Sequence, residues 1–188
     1  VEGWTSTKTP HTVRGLELEK EYTLTEKRAP DGYAEAESIV FKLVQEGTEQ
    51  VNEVYVKSDD DWTKLDEATV IMQDAPVLDI DKTDTAGNLL PGATLTIRDA
   101  GGEVIDTWVT DYKTHRVPIS DQFIKLSGET KEYIYTLTED DAPAGFEIAE
   151  SVQFKLESVD DVISLFVREN ADAEWVRADK RLILMIDE

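Results

Sequence analysis

The chain of 188 residues contains no cysteine, which excludes disulfide bonds, thiolate catalysis and zinc sites with cysteine ligands. It has only two histidines, so we expect neither a catalytic triad nor a histidine-rich metal site. No apolar run approaches the length of a membrane span, and no glycine-rich phosphate loop is present. We therefore expect no metal, no cofactor and no membrane partner.

Positive charge is also scarce. The chain has 19 lysines and arginines against 41 acidic residues, which gives a net charge of −22. A nucleic-acid surface needs a basic patch to neutralise phosphates, and an anionic membrane surface has the same requirement. We therefore expect no nucleic acid among the partners. The acidic residues are spread over both halves of the chain, which is typical of a solubilising surface.

The sequence repeats itself. "EYTLTEKRAPDGYAEAESIVFKL", which begins at Glu21, matches "IYTLTEDDAPAGFEIAESVQFKL", which begins at Ile134. Further upstream the spacing between the copies is about nine residues shorter, so the second copy has extra residues near 120–132. Residues 75–104 have no counterpart in the first copy. We predict two domains: residues 1–74, which lack the N-terminal strands of the repeat, and residues 75–188, which form a complete unit.

The local pattern is that of β-strands throughout. In Gly92–Asp99, "GATLTIRD", apolar and polar residues alternate with the period of a strand. Runs rich in β-branched and aromatic residues near 103–110, 133–139, 148–157 and 162–168 are separated by turn sequences such as "DAGGE" and "APAGF". No segment has a convincing helical period. The prediction is an all-β fold of Ig-like or prealbumin-like β-sandwich domains in tandem.

Three predicted strands end in an ionisable residue that shares a face with apolar ones. The rows are Leu78, Ile80 and Lys82; Tyr135, Leu137 and Glu139; and Ile183, Met185 and Asp187. Two of the rows recur in the first copy, where they end in Glu26 and Asp74. A single such residue would be expected to bend out to water at a strand end. Three of them in one repeat favour placement in the core.

An inward lysine beside inward carboxyl groups has a specific chemistry. Burial favours the neutral form of each group. A neutral amine is a nucleophile, a neutral carboxylic acid is an electrophile, and a protonated glutamate between them can shuttle protons. We therefore expect an amide bond between Lys82 and Asp187, formed with loss of water.

The motifs around these residues resemble the CnaB-type (SpaA-like, prealbumin-like) domains of Gram-positive surface proteins. The matching motifs are "IDKTD" with Lys82, "LLPGATLTIRD", "DTWVTD", "YTLTEDDAPAGF" with Glu139 and "LILMID" with Asp187, together with "YTLTEKRAPDGY" and "VIMQDA" in the first copy. The resemblance implies a β-sandwich whose first and last strands are joined by an intramolecular isopeptide bond. It makes Lys82 the nucleophile, Asp187 the acceptor and Glu139 the catalytic acid and base.

The first copy departs from the family pattern. The resemblance assigns Glu26 as its catalytic residue and Asp74 as its acceptor, but this copy has no lysine strand. We therefore expect either that the first copy is poorly ordered or that a strand from outside this sequence covers its open row, supplied by a further segment of the same protein or in trans by a neighbouring molecule.

The resemblance implies a structural protein and not an enzyme, apart from its single-turnover bond formation. We expect repeat domains in the stalk of a secreted adhesin or pilus protein on the cell wall of a Gram-positive bacterium, with neighbouring repeats as partners. The alternative is a ligand-binding adhesin module for host matrix or glycan, which would need an exposed aromatic or apolar patch. Hydrolase chemistry by Glu139 and Asp187 is a third interpretation, and it would need an open cleft.

Two further pairs recur at equivalent positions of the copies. For His11 and His115 we expect packing or strand-end roles, because no second histidine lies near either of them. Trp4 with Trp108, and Trp62 with Trp175, fit a core or inter-strand role better than a sugar-binding platform.

Overall fold

The structure, a computed structural model, describes residues 2–45, 52–120 and 123–187. Val1 and Glu188, at the ends of the predicted domains, and residues 121–122 of the predicted insertion lie outside these ranges. The described residues form fifteen strands and no helix, which confirms the all-β prediction. The described residues therefore include no helix that could cross a membrane.

The strands are joined by turns and by longer loops, and the first of them begins at Glu21. They are β1 (Glu21–Leu24), β2 (Tyr33–Ala34), β3 (Ile39–Gln45), β4 (Asn52–Ser58), β5 (Asp61–Lys64), β6 (Ala75–Asp84), β7 (Thr94–Asp99), β8 (Val104–Val109), β9 (His115–Pro118), β10 (Ile124–Lys125), β11 (Tyr135–Asp141), β12 (Val152–Val159), β13 (Val162–Arg168), β14 (Val176–Arg177) and β15 (Leu182–Asp187).

Contacts between residues divide the chain into two units. Unit 1 comprises Val1–Arg28 and Glu35–Gln73, and unit 2 comprises Ala29–Ala34 and Asp74–Glu188. Ala29–Ala34 and Asp74 thus belong to unit 2, although the repeat pattern predicts both in the first domain. The reason is strand pairing, because β2 pairs with the first residues of β6.

Unit 2 is a sandwich of two sheets. One sheet has the order β14-β13-β12-β11-β7-β8, with β10 also pairing with β12, and the other has β6 between β15 and β9, with β2 at one end of β6. The core draws side chains from both sheets. Fully buried examples are Leu78 of β6 and Met185 of β15 on one side, and Leu137 of β11 and Phe154 of β12 on the other. The alternation predicted for these strands thus places every second residue between the sheets.

The first and last long strands of unit 2 are direct neighbours. β6 and β15 run parallel, with Met185 opposite Lys82 and Asp187 opposite Asp84. In the facing sheet β11 pairs with β7, which puts Glu139 opposite Leu95. These registers bring the ends of the three rows with ionisable residues to one end of the core.

Unit 1 contains one described sheet, with the strand order β1-β3-β4-β5. Tyr22 and Leu24 of β1 are only partly buried, whereas their counterparts Tyr135 and Leu137 are buried in unit 2. The strand predicted to end at Asp74 does not form. Its counterpart β15 pairs with β6, and β6 has no counterpart in the first copy.

Candidate functional site

Lys82, Glu139 and Asp187 meet inside unit 2. Each lies on a different strand, β6, β11 and β15 respectively, and none of the three side chains is exposed to solvent. The ammonium nitrogen Nζ of Lys82 donates to Oε2 of Glu139 at 3.1 Å and also contacts Oδ1 of Asp187. The structure therefore brings together the three residues that the sequence selected in the second copy.

The surroundings of this cluster are apolar. Leu95 lies opposite Glu139 across the β7–β11 pair, and Met185 lies opposite Lys82 across the β6–β15 pair. Both neighbours are buried. In such surroundings charges interact strongly, but each ion also loses its hydration, which costs several kcal/mol per ion.

Two carboxyl oxygens of the cluster have no partner. Oε1 of Glu139 and Oδ2 of Asp187 are buried and accept no hydrogen bond from the described residues. If all three groups were ionised, the cluster would hold two carboxylates against one ammonium. A buried carboxylate with an unpaired oxygen is unfavourable. A reaction that removes charge from this cluster would therefore relieve an energetic cost.

The main chain supplies one more contact to this cluster. The N–H group of Ala149 donates to Oε2 of Glu139 at 2.6 Å. Oε2 thus accepts two hydrogen bonds, one from Ala149 and one from Lys82. The donor is a main-chain group, so the side-chain pattern of the sequence did not predict this contact. The signal that could have suggested it is the repeated spacing between the glutamate and a later alanine in both copies.

The predicted residues of the first copy are arranged differently. Glu26 lies in unit 1, is partly buried and accepts a hydrogen bond at 2.8 Å from the N–H group of Ala36. It forms no ion pair with any described residue. Asp74 is partly buried just before β6 and is not part of the cluster around Lys82.

The two histidines have a shared structural role. His115 stacks on Trp108 with ring centroids 3.8 Å apart, and its Nε2 lies 2.8 Å from Oδ2 of Asp106. The first copy has the same arrangement, in which His11 stacks on Trp4 at 4.3 Å. Each histidine is thus held by a ring and, in both copies, by an acidic residue two positions before the tryptophan.

A second cluster of charged and aromatic side chains lies around Trp175. Nζ of Lys155 lies 5.0 Å from the centre of the Trp175 ring and 3.0 Å from carboxylate oxygens of both Glu132 and Glu157. Burial works to lower the pKa of Lys155, but the hydrogen bonds that Lys155 donates to the two glutamates, together with their negative charges, outweigh it and hold the pKa above its ordinary value. Trp175 thus has an inter-strand role, as the sequence predicts for this residue.

Comparison with known proteins bears on the fold of unit 2. The family model of the SpaA prealbumin-like fold domain matches residues 77–170, which is half of the chain. The chain belongs to this family. The matched range includes Lys82 and Glu139 and ends before Asp187. No curated protein sequence matches the chain.

Solved structures of a pilus adhesin, SpaC from Lactobacillus rhamnosus GG, are similar to the chain. One SpaC structure is 14% identical with a TM-score of 0.39, and the similarity covers 89% of this chain and 24% of SpaC. A C-terminal fragment of SpaC is 15% identical with a TM-score of 0.38, and the similarity covers 91% of this chain and 77% of the fragment. The chain thus spans about a quarter of the length of the longer SpaC chain.

Proposed function

We propose that the chain is a structural module of a pilus or surface adhesin, and that unit 2 crosslinks itself by an isopeptide bond between Lys82 and Asp187. The observation that carries this proposal is the buried cluster in which Lys82 contacts both Asp187 and Glu139. Membership of the SpaA prealbumin-like family supports the same function.

The reaction is a condensation of neutral groups. Nζ of Lys82, as a free amine, attacks Cγ of protonated Asp187. Glu139 accepts a proton from Nζ at Oε2 and gives its own proton to the departing hydroxyl, which leaves as water. One C–N bond forms, one C–O bond breaks, and Glu139 ends as the neutral acid with which it began.

The amide product is favoured over any ionised form of the cluster, because it carries no charge. Before reaction the cluster must keep an amine and two carboxyl groups in an apolar core. The amide product has no charge, and only the neutral Glu139 remains beside it. Desolvation, which opposes a buried ion pair, therefore favours the condensed product.

The closed site favours a structural role over an enzymatic one. All three reactive side chains are fully buried, so a foreign substrate has no access to them. A hydrolase that uses Glu139 and Asp187 would need an open cleft. The bond forms once in each molecule and stays in the product.

The position of the bond suits a module that bears load. It joins β6 to β15, the first and last long strands of unit 2, across a loop of 105 residues. Tension applied at the two ends of the unit would pass through the covalent link before it reached the hydrogen bonds between strands. In a chain without cysteine, such a bond takes the role that disulfides have in other secreted domains. We place the protein on the cell wall of a Gram-positive bacterium, with neighbouring domains of the same protein as partners.

Mass spectrometry of the denatured full chain tests the proposal. The folded protein should be one water molecule lighter than its sequence, whereas Lys82→Ala should have its full sequence mass. A tryptic digest should contain a branched peptide that joins the segments around Lys82 and Asp187. A well-folded parent protein with its full sequence mass would rule out the bond.

A further inference from the structure

The loop after each glutamate folds in the same way in both copies. A proline carbonyl accepts the N–H group of the residue three positions later at 3.1 Å, from Pro143 in the second copy and from Pro30 in the first. The third residue of each turn is a glycine, Gly145 with φ of 96° or Gly32 with φ of 80°. Only glycine adopts this backbone region without strain.

A main-chain N–H group later in the chain contacts the glutamate in both copies. Ten residues after Glu139, the N–H group of Ala149 meets Oε2 at 2.6 Å, and ten residues after Glu26, that of Ala36 meets Oε2 at 2.8 Å. Glu26 is only partly buried and forms no ion pair with the described residues. The hydrogen bond therefore forms without a lysine, so the loop itself sets it.

This contact distinguishes the two oxygens of Glu139. Oε2 accepts hydrogen bonds from Ala149 and Lys82, whereas Oε1 accepts none from the described part of the chain. A carboxyl oxygen has two lone pairs, and at Oε2 the donors Ala149 and Lys82 occupy both of them. The proton of a neutral Glu139 therefore belongs on Oε1.

We propose that the main-chain N–H group of Ala149 is a positioning group for the crosslinking reaction. It holds Oε2 as the acceptor that faces the amine of Lys82 and leaves Oε1 to deliver its proton to the departing hydroxyl of Asp187. The inference rests on the proposed isopeptide bond. It adds that the loop between Glu139 and Ala149 sets the direction of proton transfer.

The test removes the N–H group and leaves the carboxyl group in place. Ala149→Pro lacks the donor, and replacement of Ala149 by lactate, which turns the amide into an ester, lacks it without fixing the backbone. Ala149→Gly keeps the donor and is the matched control. Full-length chains are made by cell-free synthesis, and the loss of water is followed over time by intact mass. We expect both donor-free chains to react roughly 10- to 100-fold more slowly than the glycine control.

A double variant separates positioning from folding. In a Glu139→Gln background the slow residual reaction should not be slowed further by Ala149→Pro, because the donor acts through Glu139. Equal slowing in both backgrounds would overturn the inference in favour of a folding defect. Donor-free chains that are folded and react at the rate of the glycine control would also overturn it. If the parent chain never loses water, the proposed bond itself is absent and the inference falls with it.

Discussion

Glu139→Gln is the most informative single change, because it removes the proton shuttle while nearly preserving shape. The glutamine keeps the oxygen that faces Lys82 and Ala149, and the contact between Lys82 and Asp187 remains possible. Loss of general acid–base catalysis slows such reactions by roughly 10²- to 10⁴-fold. The variant should therefore fold and still have its full sequence mass at the time when the parent has completed its reaction.

The cost to stability follows from the length of the closed loop. In the chain-entropy treatment used for disulfides, a crosslink that closes a loop of 105 residues contributes about 4–5 kcal/mol to the free energy of unfolding. Unit 2 has about 120 residues, and a domain of this size unfolds with an entropy of roughly 0.25 kcal/mol per kelvin. The midpoint of thermal unfolding should therefore fall by about 15–20 °C.

Differential scanning calorimetry together with intact mass measures both consequences. The matched control is Glu26→Gln, the same chemical change at the equivalent position of the first copy, which should leave the transition of unit 2 in place. A Glu139→Gln protein that has lost water as fast as the parent would refute the assignment of Glu139. A variant without the bond that melts within about 3 °C of the parent would refute the stabilising role of the tether.

Three further predictions concern the acceptor, the aromatic cluster and acid stability. Asp187→Asn should still crosslink but release ammonia, so that its product has the same intact mass as the crosslinked parent. Trp175→Ala should destabilise unit 2 by about 1–2 kcal/mol in chemical denaturation, since the cations stacked on its ring lose their contact; Trp62→Ala is the control, whose effect should appear in unit 1. The hydroxyl of Thr96 donates to Oδ2 of Asp140 at 2.8 Å. This hydrogen bond makes the largest of several contributions that hold the pKa of Asp140 below its usual value. The stability from this group is present above the ordinary aspartate pKa of about 3.9 and is lost as the pH falls towards the lower folded value; Thr96→Val should raise the pKa of Asp140 in an NMR titration, and an unchanged pKa would contradict the assignment.

The cluster around Lys82 could be predicted because strand periodicity is strict. One residue in two points to the core, so the rows that end in Lys82, Glu139 and Asp187 placed these groups in the interior before any pairing was known. The register between strands was not accessible from the pattern. The parallel pairing that puts Met185 opposite Lys82 depends on residues more than 100 positions apart, and single-strand alternation contains no information about it.

Two features of the structure could not be predicted from local sequence patterns. The segment that ends at Asp74 has the same alternation as β15, yet it forms no strand, because a strand also needs a neighbour to pair with. The contact from Ala149 was missed because its donor is main chain and any residue type except proline could supply it. Sequence patterns therefore predict which side chains point into the core better than they predict which main-chain groups donate hydrogen bonds.

The parallel pairing of β6 with β15 also fixes when the bond can form during folding. Lys82 and Asp187 are 105 residues apart in sequence and lie on the paired strands β6 and β15, so we expect them to meet only when these two strands pair. Contacts of such long range form slowly compared with hairpins. We therefore expect the proposed crosslink to form late in folding and not in partly folded chains. We therefore expect the bond, where it forms, to report that β6 and β15 have paired.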